Sequence, residues 1–490
     1  MKRGMWLWLA VVLGAQPASG QQPVRRDTVQ LSLPAALEAA LTGSEEVRVA
    51  EAQVEQAVAQ VRATRASLLP QISTQLVYTK TLRSVFQNTG FEIPDSLRFE
   101  PDSLASIQER LRYLEQKTPN AAFGALGGLF ADLPFGRENM WIAGAQLSQP
   151  LFAGGRISAG VALSELARDA ASAALDDARA EIAFQVKEAY YNAALAAEAE
   201  AIVGGSVTLA EDHLANVRLQ FEAGRASELE VLRAEVELEN LRPQLVQARN
   251  ARQLSLLNLK RLVNVPIDAP VSLATQLSPT DAALPAPDQV RFPALPDAEP
   301  QLGRRAGVRA ARLGVAMREE QAGIARGAFL PSVALTGNFQ RQAFPGGFLP
   351  EEWRDDWNVG FAVSWPLFQG FRRSAELALA RAQVRQAELQ VEQLLEGVRL
   401  SYEQALGELA QARAQIAAAT RAAQQAERVY DLTQLRYTEG LATQLDVSSA
   451  RLVLQQARMN EVTAFRDFYV AVARAERALG IDASTLMGTR

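Results

Sequence analysis

The chain has 490 residues, with 50 Lys and Arg against 55 Asp and Glu for a formal net charge of −5, and it lacks the basic excess of a dedicated nucleic-acid binder. It contains no cysteine and one histidine, His213, which excludes disulfides, a thiolate nucleophile, a Cys-based lipid anchor and any Cys- or His-rich metal centre. Hydrophobic residues are 48 % but aromatics only 7 %, and an alanine-dominated apolar fraction among Glu, Gln, Arg and Leu reads as long helices.

Lys2 and Arg3 precede the apolar run Trp6–Leu13, and the small residues Ala18, Ser19 and Gly20 follow. This is the pattern of a secretory signal, with cleavage expected near Gly20–Gln21. The run falls short of the ~20 residues of a spanning helix. No other apolar run reads as long enough to span, so entry of the mature chain into a membrane requires a β-barrel.

The rest of the chain is a duplication. Gln149-Pro-Leu-Phe-Ala-Gly-Gly-Arg156 recurs as Trp365-Pro-Leu-Phe-Gln-Gly-Phe-Arg372, Pro366 lying 216 residues after Pro150. Phe221-Glu-Ala-Gly-Arg-Ala-Ser-Glu-Leu-Glu-Val231 recurs as Tyr437-Thr-Glu-Gly-Leu-Ala-Thr-Gln-Leu-Asp-Val447 at the same offset. Leu68-Leu-Pro70 matches Phe329-Leu-Pro331 at an offset of 261, which leaves a 45-residue insertion in the first copy between Pro70 and Pro150. Such spacing marks a repeat architecture. The expected plan is a signal peptide over 1–20, a first repeat over 21–265, a connector over 266–300, a second repeat over 301–482 and a tail over 483–490. The connector, Pro266–Pro300, has eight prolines in 35 residues and reads as stiff and non-helical.

Within each repeat, short strands precede long helices. Trp141, Ala143, Ala145 and Leu147 alternate with Ile142, Gly144, Gln146 and Ser148, and Val359, Phe361, Val363 and Trp365 alternate with Asn358, Gly360, Ala362 and Ser364. Val333, Leu335 and Phe339 oppose Ser332, Thr336, Asn338 and Gln340, and Ile72, Leu76 and Tyr78 form a similar set. These are period-two strands with one apolar face, about the ~9–11 residues of a tilted membrane strand. Four strands leave unpaired edges in lipid, so closure demands several chains. Trp141, Phe152, Trp357, Trp365 and Phe368 fall near strand ends, where interfacial aromatics are expected. The hairpins Gln71–Pro150 and Ser332–Pro366 are expected to cross the membrane, with Leu82–Arg137 and Arg341–Asp356 at the cell surface. The acidic run Glu351, Glu352, Asp355 and Asp356 then forms a solvated tip.

After the Pro-Leu-Phe turn, proline is absent from Leu151 to Arg242 and from Leu367 onward. Gly155–Gln220 predicts one helix of about 100 Å, with Gly204-Gly205 as a candidate interruption. Leu445, Leu452 and Met459, and then Phe465, Val472 and Leu479, fall seven apart, as in a helix packed on both sides. A soluble helical bundle would not carry the amphipathic strands.

Duplicated strand–Pro-Leu-Phe-x-Gly–helix units, with a second glycine motif ending in Gly440-Leu441…Asp446-Val447, resemble the TolC-like outer-membrane efflux proteins from about Leu31 to Ile481. The resemblance implies a mainly α fold with a membrane β-barrel: a homotrimer whose 12-strand β-barrel continues into a 12-helix α-barrel. It implies an exit duct in the outer membrane reaching into the periplasm, docked to a periplasmic adaptor and an inner-membrane pump, without a cofactor. A periplasmic coiled-coil adaptor or a structural scaffold is the competing reading; either lacks duplicated strands. No enzyme is expected. Gly124-Ala-Leu-Gly-Gly128 lacks the lysine of a phosphate-binding loop, and His213 has no nucleophile motif beside it.

Gly224 and Gly440 read as turns between antiparallel helices, where glycine admits positive φ. By the resemblance, Gly224-Arg225 and Gly440-Leu441 meet the adaptor. Glu230 and Asp446 each lie six residues past a tip glycine and are candidates for an acidic pore constriction. The sequence departs from the family at Ser449, where some members have a second acid, and at Ala442, where a closed-state basic partner usually stands. Arg225 is a candidate substitute. The plainer reading of both carboxylates is as first-turn or N-cap acids.

Overall fold

The computed structural model describes residues 29–83, 99, 102–131, 138–277, 284–350 and 352–481. The expected signal segment and tail, together with Glu351, lie outside them. In chain order the elements are β1 (Val29–Leu31), α1 (Leu33–Gly43), α2 (Glu45–Ala66), β2 (Gln71–Lys80), α3 (Ile107–Ala131), β3 (Asn139–Phe152), α4 (Arg156–Glu222) and α5 (Glu228–Leu262). There follow β4 (Val271–Leu273), α6 (Leu295–Leu302), α7 (Ala306–Gly327), β5 (Ser332–Ala343), β6 (Arg354–Ser364), α8 (Arg372–Thr438) and α9 (Gln444–Leu479).

Helices α4 and α8 have 67 residues each, about 100 Å at 1.5 Å per residue. Helix α4 runs unbroken through Gly204-Gly205, because two glycines cost only ~1 kcal/mol each in a helix this long. By length and composition α4 also passes as apolar enough to cross a membrane, against the sequence expectation. Its alanine accounts for this, and positions such as Val186, Ala193 and Ala194 are buried in a protein core.

The described residues form two compact units that cut across the repeats, one drawn from 1–54, 171–310 and 391–490, the other from 55–170 and 311–390. The first holds the main core. Val186, Tyr190, Leu259, Phe465 and Phe468 cluster there, with Leu31 and Leu37. The proline-rich connector belongs to this core. Strand β4 pairs in parallel with β1, Val29 to Leu31 facing Val271 to Leu273. The hydroxyl of Tyr190 donates to Thr275 Oγ1 at 2.9 Å, and that of Tyr402 to the Pro293 carbonyl at 2.7 Å. The connector is also not wholly non-helical, since α6 closes it with a proline in its first turn, where the missing N–H leaves no bond unmade.

The second unit holds an antiparallel sheet of order β2-β3-β5-β6. The first Pro-Leu-Phe segment is not a turn: β3 continues through it to Phe152, with a register shift after Pro150. Pro150 lies past Ser148, the last residue facing β2, so its missing N–H breaks no ladder on that side. In the second copy β6 stops at Ser364, before the motif. The expected surface segment Arg341–Asp356 shortens to 344–353, because strand pairing continues to Gln342 opposite Arg354. The insertion in the first copy carries the 25-residue helix α3. After each motif the backbone turns left-handed, at Gly154 and Gly155 in one copy and at Gly370 and Phe371 in the other. A Cβ on Gly154 would lie 2.4 Å from the carbonyl oxygen of Gly327, so this crossing admits only glycine.

Candidate conduit: a two-faced sheet and a double-hairpin tip

Strand register decides which side chains share a face. Tyr78 faces Trp141, Leu76 faces Ala143 and Ile72 faces Leu147. Phe339 lies between Ala145 and Trp357, Leu335 faces Phe361, and Val333 faces Val363. All the apolar sets of the four strands therefore fall on one surface. The other surface carries Gln75, Gln146, Asn338, Gln340 and Asn358 among mostly small residues, with Val77 and Ile142 facing each other as its large apolar pair. Edge strands β2 and β6 are solvent-exposed along their whole length.

Aromatic side chains collect at both ends of the apolar face. At one end Tyr78 and Trp141 meet in a tilted pair with centroids 4.9 Å apart, and Phe339 and Trp357 pair at 4.7 Å. At the other, Trp365 Nε1 donates to the Phe329 carbonyl at 3.2 Å, and Phe368 meets Phe371 edge-on at 5.6 Å. Phe152, Phe368 and Phe371 are exposed. The two aspartates of the acidic run diverge. Asp355 pairs with Arg341 at 2.6 Å, while Asp356 accepts from Gln340 Nε2 at 3.2 Å, on the opposite face.

The two helix tips are built alike. A left-handed glycine stands two residues past each long helix, Gly224 after α4 with φ 71° and Gly440 after α8 with φ 74°. In each, the N–H after the glycine bonds back to the last turn, Arg225 to the Gln220 carbonyl at 2.7 Å and Leu441 to Arg436 at 2.8 Å. This is a Schellman closure. The next helices start with capping boxes. Glu230 N donates to Ser227 Oγ at 3.4 Å, and Ser227 N returns a bond to Glu230 Oε2 at 2.6 Å. Asp446 N donates to Thr443 Oγ1 at 3.3 Å, and Thr443 N to Asp446 Oδ2 at 2.8 Å. Both constriction candidates are thus the third residue of a capping box. The Thr443 hydrogen bonds hold the Asp446 carboxyl below its ordinary pKa. Arg225 is exposed and forms no ion pair with a described residue.

Behind the tip a polar layer ties the hairpins together. Arg451 of α9 pairs with Glu237 of α5, and Ser448 Oγ donates to Glu237 Oε2 at 2.8 Å. Gln444 Nε2 donates to the Glu230 carbonyl at 3.1 Å. His213 leans on Tyr437 with centroids 5.5 Å apart. Burial, opposed in part by Glu237, holds its pKa below the ordinary histidine value. Sequence reasoning passed over Ser227, Thr443, Glu237 and Arg451. The first two were legible as Ser/Thr three residues before an acid. Arg451 was legible only as a charge inside the buried stripe Val447, Ala450, Leu454 and Ala457. The expected seam splits: Leu445 and Leu452 are 70 % and 65 % exposed in the protomer, while Phe465 and Leu479 are buried.

Comparison with known proteins agrees with this geometry. A family model described as outer membrane efflux protein matches residues 104–265 and 300–481. The chain is 26 % identical over 332 residues to the outer membrane efflux protein BepC of Brucella suis, spanning 67 % of this chain and 69 % of that one. It is 25 % identical over 355 residues to the cobalt-zinc-cadmium resistance protein CzcC of Cupriavidus metallidurans, covering 70 % and 78 %. Its fold superposes on the CmeC outer membrane channel of Campylobacter jejuni with a TM-score of 0.69 at 18 % identity, over 91 % of this chain and 85 % of that one.

Proposed function

The chain belongs to the outer membrane efflux protein family, and from that premise we propose a passive exit duct whose working parts are the two-faced sheet and the double-hairpin tip. It is an outer-membrane channel extending into the periplasm, a homotrimer that acts with a periplasmic adaptor and an inner-membrane pump. The observation that carries the reading is the sheet: the large apolar side chains gather on one face, with the Arg341–Asp355 pair only at its loop end, the glutamines and asparagines of mid-strand lie mostly on the other, and both edges are unpaired among the described residues. An open four-stranded sheet cannot lie in lipid, because each edge amide would lack a partner. Three copies joined β6 to β2 close twelve strands with the apolar face toward lipid and glutamine and asparagine toward the lumen. Exposed Leu445 and Leu452 supply the matching contact between helices of neighbouring protomers.

Export energy comes from the pump, and the reading assigns this chain no enzymatic step. Residues 1–20 act as the signal peptide, and the repeats 21–265 and 301–482 flank the connector. The adaptor docks at Gly224, Arg225, Gly440 and Leu441, where small and exposed residues leave the turns accessible. Glu230 and Asp446 ring the narrow periplasmic end. Their capping bonds account for the carboxylates within one protomer, so any effect on conductance comes from their remaining charge. The surface loops are 344–353 and the segment holding α3.

The chain is cysteine-free, which permits a direct test. Cysteines at Gln75 of β2 and Asn358 of β6, joined by a bismaleimide in intact outer membranes, should give a ladder that ends at the trimer. A product confined to the monomer, or one running beyond three chains, would overturn the closure.

A further inference from the structure

The segment between β5 and β6 does not extend away from the sheet. Phe348 packs edge-on against Tyr78 and Trp141, with centroids 5.1 and 5.5 Å apart. Trp141 Nε1 donates to the Phe348 carbonyl at 2.8 Å. Asn139 Nδ2 donates to the Gly346 carbonyl at 3.4 Å, and the Tyr78 hydroxyl donates to Asn139 Oδ1 at 2.8 Å. Asn139 is itself buried. Register puts Tyr78, Asn139 and Trp141 on the apolar face, in line with Leu76 and Leu147. The loop is therefore folded back over that face rather than over the polar one. Its tip still presents Phe348 and Leu349, 59 % and 72 % exposed, between Pro345 and Pro350, which restrict the backbone to few conformations.

We propose that this loop is a membrane anchor: Phe348 and Leu349 enter the outer leaflet at the aromatic girdle and extend the lipid-facing surface past the strand ends, leaving the exit mouth uncapped by this loop. The inference rests on the apolar face being the lipid face. Its occupant is the boundary between acyl chains and headgroups, for two reasons. The exposed apolar tip is continuous with the aromatic end of that face, and aromatic rings settle at this depth in barrels. The loop's backbone next to the apolar tip is also bonded locally. Two of its carbonyls are bonded by Trp141 and Asn139, so bringing this ledge close to hydrocarbon leaves those groups satisfied.

The test uses single-cysteine variants of the full trimer in phosphatidylcholine–phosphatidylglycerol vesicles, each carrying an environment-sensitive fluorophore at Leu349→Cys, Val359→Cys or Gln146→Cys. Nitroxide-labelled lipid should quench position 349 to within about twofold of 359 and at least about fivefold more than 146, with iodide showing the reverse order. Trp141→Phe keeps the ring but deletes the bond to Phe348, and should cut lipid quenching at 349 by about twofold with 359 unchanged. Iodide quenching of 349 matching that of 146, while 359 responds to lipid, would overturn the anchor and leave the barrel intact. Lipid quenching absent at both 349 and 359 would overturn the face assignment and the anchor with it.

Discussion

Glu237→Gln probes the tie between the two tip hairpins. The substitution keeps the shape of the side chain and removes its charge, so Arg451, whose side chain is 9 % exposed, is left as an uncompensated cation. Breaking a buried pair from one side costs ~3–5 kcal/mol. The Glu237 side chain is 20 % exposed and Ser448 can still donate to the amide oxygen, so we place the cost at about 2–4 kcal/mol. At 1.4 kcal/mol per decade this is roughly a 30- to 700-fold change in the local opening equilibrium. Amide hydrogen exchange on the detergent-solubilised trimer reads it directly as lost protection in the first turns of α5 and α9. Replacing both partners, as Glu237→Leu with Arg451→Leu, removes the stranded charge and should recover most of the protection. A loss below about fivefold in the single variant, or equal losses in single and double variants, would refute the assignment of this pair as the tie.

Gly440→Val should abolish efflux complementation with the trimer still assembled, because φ is 74° and no atom lies within 4 Å of a Cβ there; the left-handed backbone costs ~1–2 kcal/mol, and normal efflux in a susceptibility assay would count against docking at this tip. Thr443→Ala removes one half of a capping box and should lower protection at the start of α9 by about 1 kcal/mol, with single-channel conductance unchanged. Gly154→Ala forces a Cβ against the Gly327 carbonyl and should eliminate the heat-modifiable trimer band on gels, since overpacking of ~1–3 kcal/mol adds to the cost of its positive φ. The tip should also weaken in acid in two steps. Burial lowers the pKa of His213, so neutral imidazole is favoured in the fold and stability falls as pH drops below the ordinary value of ~6.5. The Asp446 carboxyl is lowered by its cap, so its contribution is complete above ~4 and is lost as pH falls through the depressed value. His213→Gln should flatten the first step of tip protection factors and leave the second in place.

Local chemistry in the sequence determined the parts. Alternation over a few residues marked four strands, alanine-rich runs marked the long helices, and Gly224 and Gly440 marked turns whose positive φ is a property of glycine itself. The fixed 216-residue offset tied the two copies together because each motif carries its own turn and cap. Tertiary structure decided whatever depends on distant partners. Glu237 and Arg451 are 214 residues apart and break the repeat symmetry. The connector became part of a core because Tyr190, Tyr402 and Tyr469 reach its polar groups, and nothing in its proline spacing encodes those hydroxyls. Seven-residue spacing showed that Leu445 and Phe465 lie on seams, yet only packing left one exposed and buried the other. Trp141 read as an interfacial aromatic, and the fold gave it a second task, holding a loop 207 residues away. Backbone propensity acts over one or two turns, whereas burial and pairing depend on which surfaces the whole chain brings together.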